Sequence, residues 1–122
     1  MVREAAAAVT LIYKICPGPA WREAERQGAF AGSGDDVRDG FIHFSTAAQV
    51  EGTLARHFAG EADLFLVAVE AESLGDALKW EPSRGGELFP HLYASLDPHA
   101  AQDVIALKLR GDGSHMIPEF KP

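Results

Sequence analysis

Cysteine is almost missing from this chain: Cys16 is the only one in 122 residues, so no internal disulfide can form. Cations are scarce too. Eleven lysines and arginines stand against eighteen aspartates and glutamates, a formal net charge of −7. Unaided binding to nucleic acid or to an anionic membrane rests on the opposite surplus, so neither is expected. No apolar run is long enough to cross a bilayer. The opening MVREAAAAVT has too short an apolar core and too weak a charge pattern for a signal peptide, which makes a reducing cytoplasm the expected compartment. Internal repeats, low-complexity tracts and linkers are absent, as are a Walker loop, GxGxxG and GxSxG. The five histidines, 43, 57, 91, 99 and 115, show no HxH, HExxH or Cys/His spacing, so no dedicated metal site is expected. Small molecules or basic proteins remain as partners.

What is present reads as one compact unit over residues 10–112, with a frayed leader over 1–9 and a tail over 113–122. The composition, 47% hydrophobic and 24% charged, suits a single core. TLIYKIC (10–16) is rich in β-formers and stops at Pro17-Gly18-Pro19. AWREAERQG then predicts a short helix, with Pro19 in its first turn and Gly28 as its cap. Residues 29–39, AFAGSGDDVRD, read as an aperiodic surface loop long enough to invite a functional role. GFIHF is a second strand. Thr46 to Gln49 carries a capping-box pattern, and Ala47, Val50, Leu54 and Phe58 predict a second helix over about 46–58. DLFLVAVEA (63–71) has the continuous apolar run of a strand buried on both faces in mid-sheet. ALKWE (77–81) is a weaker strand, and ELFPHLY (87–93) is one whose Pro90 places it at an edge or a bulge. DVIALKLR (103–110) alternates like a half-buried antiparallel strand. About six strands and two main helices, both helices in the first half, predict an α+β fold.

Chemistry-bearing residues gather on three of these segments. Side chains alternate across a strand, so Phe41, His43 and Ser45 share one face, and Phe89, His91 and Tyr93 share another unless Pro90 shifts the register. In the first strand Tyr13 faces with Leu11 and Ile15, and Lys14 with Ile12 and Cys16. Polar groups on apolar or aromatic walls are the usual lining of a ligand pocket. Each residue also has a structural reading. His43 is either a hydrogen-bonded core histidine or part of a pocket, Ser45 and Thr46 are helix caps or an anion-facing helix start, and His57 is a packing residue. His91 braces a turn or joins a site. Arg84 and Glu87 flank Gly85-Gly86 as a solvated ion pair or as ligand-binding groups. Cys16, two residues from Lys14, reads as a small buried thiol.

Together IYKI, GFIHFST and GGELFPHLY, in this order over about residues 11–110, resemble the signature of a small, mostly bacterial family, domain of unknown function 952. That family is similar in fold to the ADP-ribosyltransferase group, in which a split, mostly antiparallel β-sheet grips NAD. The resemblance implies NAD as a substrate, with no certain cofactor. It also implies site roles by strand order: Tyr13 or Lys14 toward the dinucleotide, His43 with Ser45 and Thr46 beside the nicotinamide, and Glu87 or His91 toward the acceptor or the charged sugar. Arg84 and Tyr93 complete the ligand-binding candidates, with Glu87, His43 and His91 as the catalytic ones. Cleaving a nicotinamide–ribose bond builds positive charge on the sugar, which a nearby carboxylate stabilises. Three readings follow: a nucleotide-like (NAD-like) ligand with ADP-ribosyl or glycosyl transfer, a non-catalytic small-molecule-binding or regulatory module, and a protein-interaction domain.

Overall fold

The computed structural model describes residues 9–120, except the side chain of Arg84; the expected leader lies almost wholly outside them. Eight strands and three helices follow in the order β1 (Leu11–Pro17), α1 (Gly18–Gln27), α2 (Asp35–Asp39), β2 (Ile42–His43), β3 (Ser45–Thr46), α3 (Ala47–His57), β4 (Leu64–Glu70), β5 (Leu78–Pro82), β6 (Leu88–Leu92), β7 (Ala101–Leu109) and β8 (His115–Met116). They form two sheets, one of five strands in the order β3-β1-β4-β7-β8 and one of three in the order β2-β6-β5. Every strand pairing described is antiparallel. The fold is α+β, as composition and periodicity predict.

Period-two alternation in β1 and β4 gives the larger sheet an apolar layer on each face. On one face Ile12, Cys16, Val67 and Val69 meet Trp21 and Ala24 of α1 together with Ile42 and Leu92 of the smaller sheet. On the other, Tyr13, Ile15, Leu64, Leu66, Ala68 and Leu107 meet Val50 and Leu54 of α3. As expected, β4 sits mid-sheet between β1 and β7, with all its residues buried except Phe65 and Glu70. The C-terminal segment is attached to this second layer: β8 pairs with β7, and the Phe120 ring packs 4.6 Å from that of Tyr13. Burial pushes the Cys16 thiol up to about 11, which fits an inert core residue.

Two expectations need correction. The strand expected over GFIHF is only Ile42–His43, which pairs with β6 in the small sheet, and Ser45-Thr46 form a further strand, β3, that pairs with β1 in the large one. The chain therefore changes sheets at Phe44. Pro90 lies in the central strand of the small sheet, not at an edge or a bulge. The pairing of β2 with β6 ends at His43↔His91, and the next contact is the Phe44 amide donating to the Pro90 carbonyl at 2.9 Å. The missing N–H of Pro90 falls where its neighbour leaves the ladder, which is how a central strand tolerates a proline.

Candidate functional site

Because β3 covers only Ile12 and Tyr13 of β1, the rest of that strand edge is open, and a cleft of about 460 Å³ fills the gap between the two sheets. Its walls come from β1 (Tyr13, Lys14, Ile15), the segment around α2 (Ser33–Asp36, Arg38, Asp39), the sheet switch (His43, Phe44, Ser45) and the outer end of α3. Phe89 and His91 of β6 close it.

The segment read as an open loop, 29–39, instead contains α2 and turns Asp36 inward. Asp36 is 3% exposed and is the hub of the site. Its Oδ2 lies 2.7 Å from Nζ of the buried Lys14 and accepts from the Ser33 amide at 3.0 Å. Its Oδ1 accepts from the His43 amide at 3.0 Å and lies 2.7 Å from His43 Nδ1. Burial alone would push this carboxyl up, but the His43 hydrogen bond and the Lys14 charge outweigh it and hold it at about 2. An ionised carboxylate only accepts, so Nδ1 of His43 carries a proton. On the ring's far side Asp39 Oδ2 lies 3.0 Å from Nε2. A ring with a proton on each nitrogen is therefore attracted from both sides. The Asp39 carboxyl is itself lowered, chiefly by its hydrogen bond from Arg38.

Gly32 makes this hub possible. Its φ is +109°, and a Cβ there would come 2.6 Å from the Asp36 Cβ. Gly32→Ala should destabilise the protein by about 2–4 kcal/mol, combining left-handed strain with displacement of a buried ion pair. Urea unfolding checks this, and an unchanged midpoint would contradict the packing described.

The second histidine stands opposite the first. His43 and His91 are register partners, and their rings are 5.3 Å apart edge to face. Phe41 packs on both, at 4.5 Å from His43 and 4.2 Å from His91, and on Tyr93 at 5.1 Å. The two strand faces expected from alternation thus meet. Glu81 Oε1 lies 2.8 Å from His91 Nδ1 and also accepts from the Tyr93 hydroxyl at 2.8 Å. These bonds, that from His91 first, lower the Glu81 carboxyl, and the same contact raises the Tyr93 phenol.

The sequence candidates divide accordingly. Tyr13, Lys14, His43, Ser45 and His91 line the cleft. Lys14 is committed to Asp36, and Ser45 Oγ is 2.9 Å from Thr53 Oγ1. Thr46, Glu87 and Tyr93 lie off the cleft wall. Thr46 caps α3, its amide donating to Gln49 Oε1 at 3.0 Å. Glu87 is exposed and accepts from Gln49 Nε2 at 2.9 Å, while the same nitrogen donates to the Leu88 carbonyl at 2.8 Å. Gln49 thereby ties the start of α3 to the start of β6, and Glu87 belongs to that tie. The Arg84 side chain lies outside the described residues. His57, expected to pack, is an exposed residue of the cleft wall. Asp36 and Glu81 were missed. The only signals were a DD pair before VRD and a glutamate two residues after Lys79 on the same strand face. Among the described residues no cluster of three or more His, Cys, Asp or Glu is arranged to hold a metal ion, and no helix is long and apolar enough to cross a membrane.

A family model described as "Protein of unknown function (DUF952)" matches residues 15–104. The chain belongs to this family. The matched span contains Asp36, His43, Glu81 and His91 and begins one residue after Lys14. Among solved structures, the crystal structure of protein CC0527 from Caulobacter crescentus is 50% identical, with 88% of this chain and 94% of that one covered and a TM-score of 0.85. The solution NMR structure of CC0527 is likewise 50% identical, covering 85% and 90%, with a TM-score of 0.77. Among curated proteins nothing matches. DUF952 membership thus brings architecture with it, and any activity has to be argued from the cleft.

Proposed function

We propose that the cleft binds a nucleotide-like small molecule of the NAD type and transfers a glycosyl or ADP-ribosyl group from it. The observation that carries this reading is His43, held by Asp36 from behind with its Nε2 directed to the rim carboxylate Asp39. An oriented imidazole beside a carboxylate supplies a proton-transfer group and a negative charge for an oxocarbenium-like sugar. The cleft volume lies within the range of small-molecule sites, and the seam of a split sheet is where the resemblance to the ADP-ribosyltransferase group puts the dinucleotide. In this proposal Asp39 takes the charge-stabilising role that strand order suggests for Glu87, and Arg38, exposed at the rim where it pairs with Asp35 and Asp39, is the cation a phosphate would have to draw on, Lys14 being buried against Asp36.

A second reading, a binding module without chemistry, is favoured by the same Asp39. While its carboxylate sits 3.0 Å from Nε2, that nitrogen is not free for a substrate. Titration of isotope-labelled protein with NAD, followed by NMR, tests binding for both. Shifts concentrated at His43, Ser45 and Asp39 are expected. Unchanged spectra at millimolar NAD would sink the nucleotide reading.

A further inference from the structure

We infer that Glu81, with Tyr93 behind it, is a positioning residue that fixes His91 with its proton on Nδ1 and its Nε2 lone pair open to the cleft. His91 then takes the proton of the acceptor hydroxyl. This rests on the transfer reading given above and adds the second proton-handling group.

The geometry points this way in three steps. Lys79 and Glu81 share one face of β5, and Glu81 lies diagonal to His91 across the β5–β6 pair, where Lys79↔His91 and Glu81↔Phe89 are in register. An ionised carboxylate has no proton to give, so a 2.8 Å contact with Nδ1 requires the hydrogen on the ring. The Tyr93 hydroxyl donates to the same Oε1 and holds the carboxylate in place. Among the described residues the only buried side-chain polar atom lacking a partner is the indole nitrogen of Trp21. The hydrogen bond described for the His91 ring is the one at Nδ1, and the residue lines the cleft, so Nε2 is the nitrogen left to meet a ligand there. Phe41, stacked 4.2 Å over the ring at 33°, limits its rotation.

In the transfer step the acceptor oxygen forms a bond to the sugar carbon as the bond to the leaving group breaks. The electron pair of the broken bond departs with the leaving group, and the hydroxyl proton passes to His91 Nε2. Glu81 touches no reacting atom. It stabilises the imidazolium that results, as a carboxylate behind a catalytic histidine does in other acid–base sites.

The test uses long-range proton–nitrogen NMR of the full chain at a pH where the His91 ring is neutral. In the wild type the proton is expected on Nδ1, the tautomer less populated in free histidine. In Glu81→Met, which removes the acceptor, the signals should move toward the Nε2–H form, and in Tyr93→Phe the Nδ1–H form should persist. A wild-type Nε2–H ring would overturn the inference whether or not the variants fold, as would a Glu81→Met spectrum identical to wild type. Adding NAD to the same samples separates the two claims. An Nδ1–H His91 that NAD leaves unmoved upholds the positioning by Glu81 and counts against the nucleotide reading alone.

Discussion

Replacing Asp36 with alanine should cost about 3–5 kcal/mol of folding stability, a large share of the roughly 5–15 kcal/mol typical of a folded domain. The loss exceeds that of an ordinary surface ion pair because Lys14 and Asp36 are both almost wholly buried. Without the carboxylate, the Lys14 ammonium is left in the interior with its main counter-charge gone, and the Ser33 and His43 amides lose their acceptor. Urea unfolding of wild type and variant measures the difference. A double change to Lys14→Met and Asp36→Leu should recover much of it, since apolar replacement of both partners removes the buried charges together. The acid limb offers a second check with its sign fixed. The Asp36 carboxyl titrates at about 2 in the folded chain, below the ordinary value of 3.8. Its contribution is therefore complete above about pH 4 and lost as the pH falls toward 2, an effect of about 2 kcal/mol. The stability gap between wild type and Asp36→Asn should narrow by that amount over the same interval.

His43→Ala should weaken NAD binding by roughly 10- to 100-fold while leaving the fold largely intact. A hydrogen bond to a charged ligand group such as a phosphate contributes about 1.5–3 kcal/mol, which sets the range. His43 is half-buried, with a third of its side chain open to solvent, so its removal leaves a wider cleft mouth rather than a core cavity. Asp36 keeps Lys14 and the two amides in the variant, which is why stability suffers far less than in Asp36→Ala. Calorimetric titration of both proteins with NAD measures the effect. Equal affinities would mean that the ligand does not meet this imidazole.

Local patterns are what the sequence made visible. The β1 and β4 runs, the α3 stripe from Val50 to Leu54 and its Thr46–Gln49 cap all depend on neighbours within a few residues, and each appears where periodicity predicts it. His43 and His91 were legible as candidates because each stands on an apolar strand. Their pairing needed the β2–β6 register, which no local signal encodes. Asp36 was hidden for a related reason: its partners Lys14 and His43 are 22 and 7 residues away, and five residues of α2 are too few to show a helical period. The sheet switch at Phe44 was obscured because β2 and β3 are each two residues long, too short to show a period, and Ser45-Thr46 carry the stronger signal of a helix cap. Glu87 was a catalytic candidate through the strand order that the resemblance implies. In the structure its carboxylate accepts from Gln49, a contact 38 residues away in the sequence.

Nicotinamide release from NAD tests most directly whether the seam cleft is a transfer site built on His43. Wild-type protein should release nicotinamide above the uncatalysed rate, and His43→Ala should lower that rate by about 10²–10⁴-fold, the usual contribution of a positioned acid–base group. No release by the wild type, or equal release by the two proteins, would contradict it.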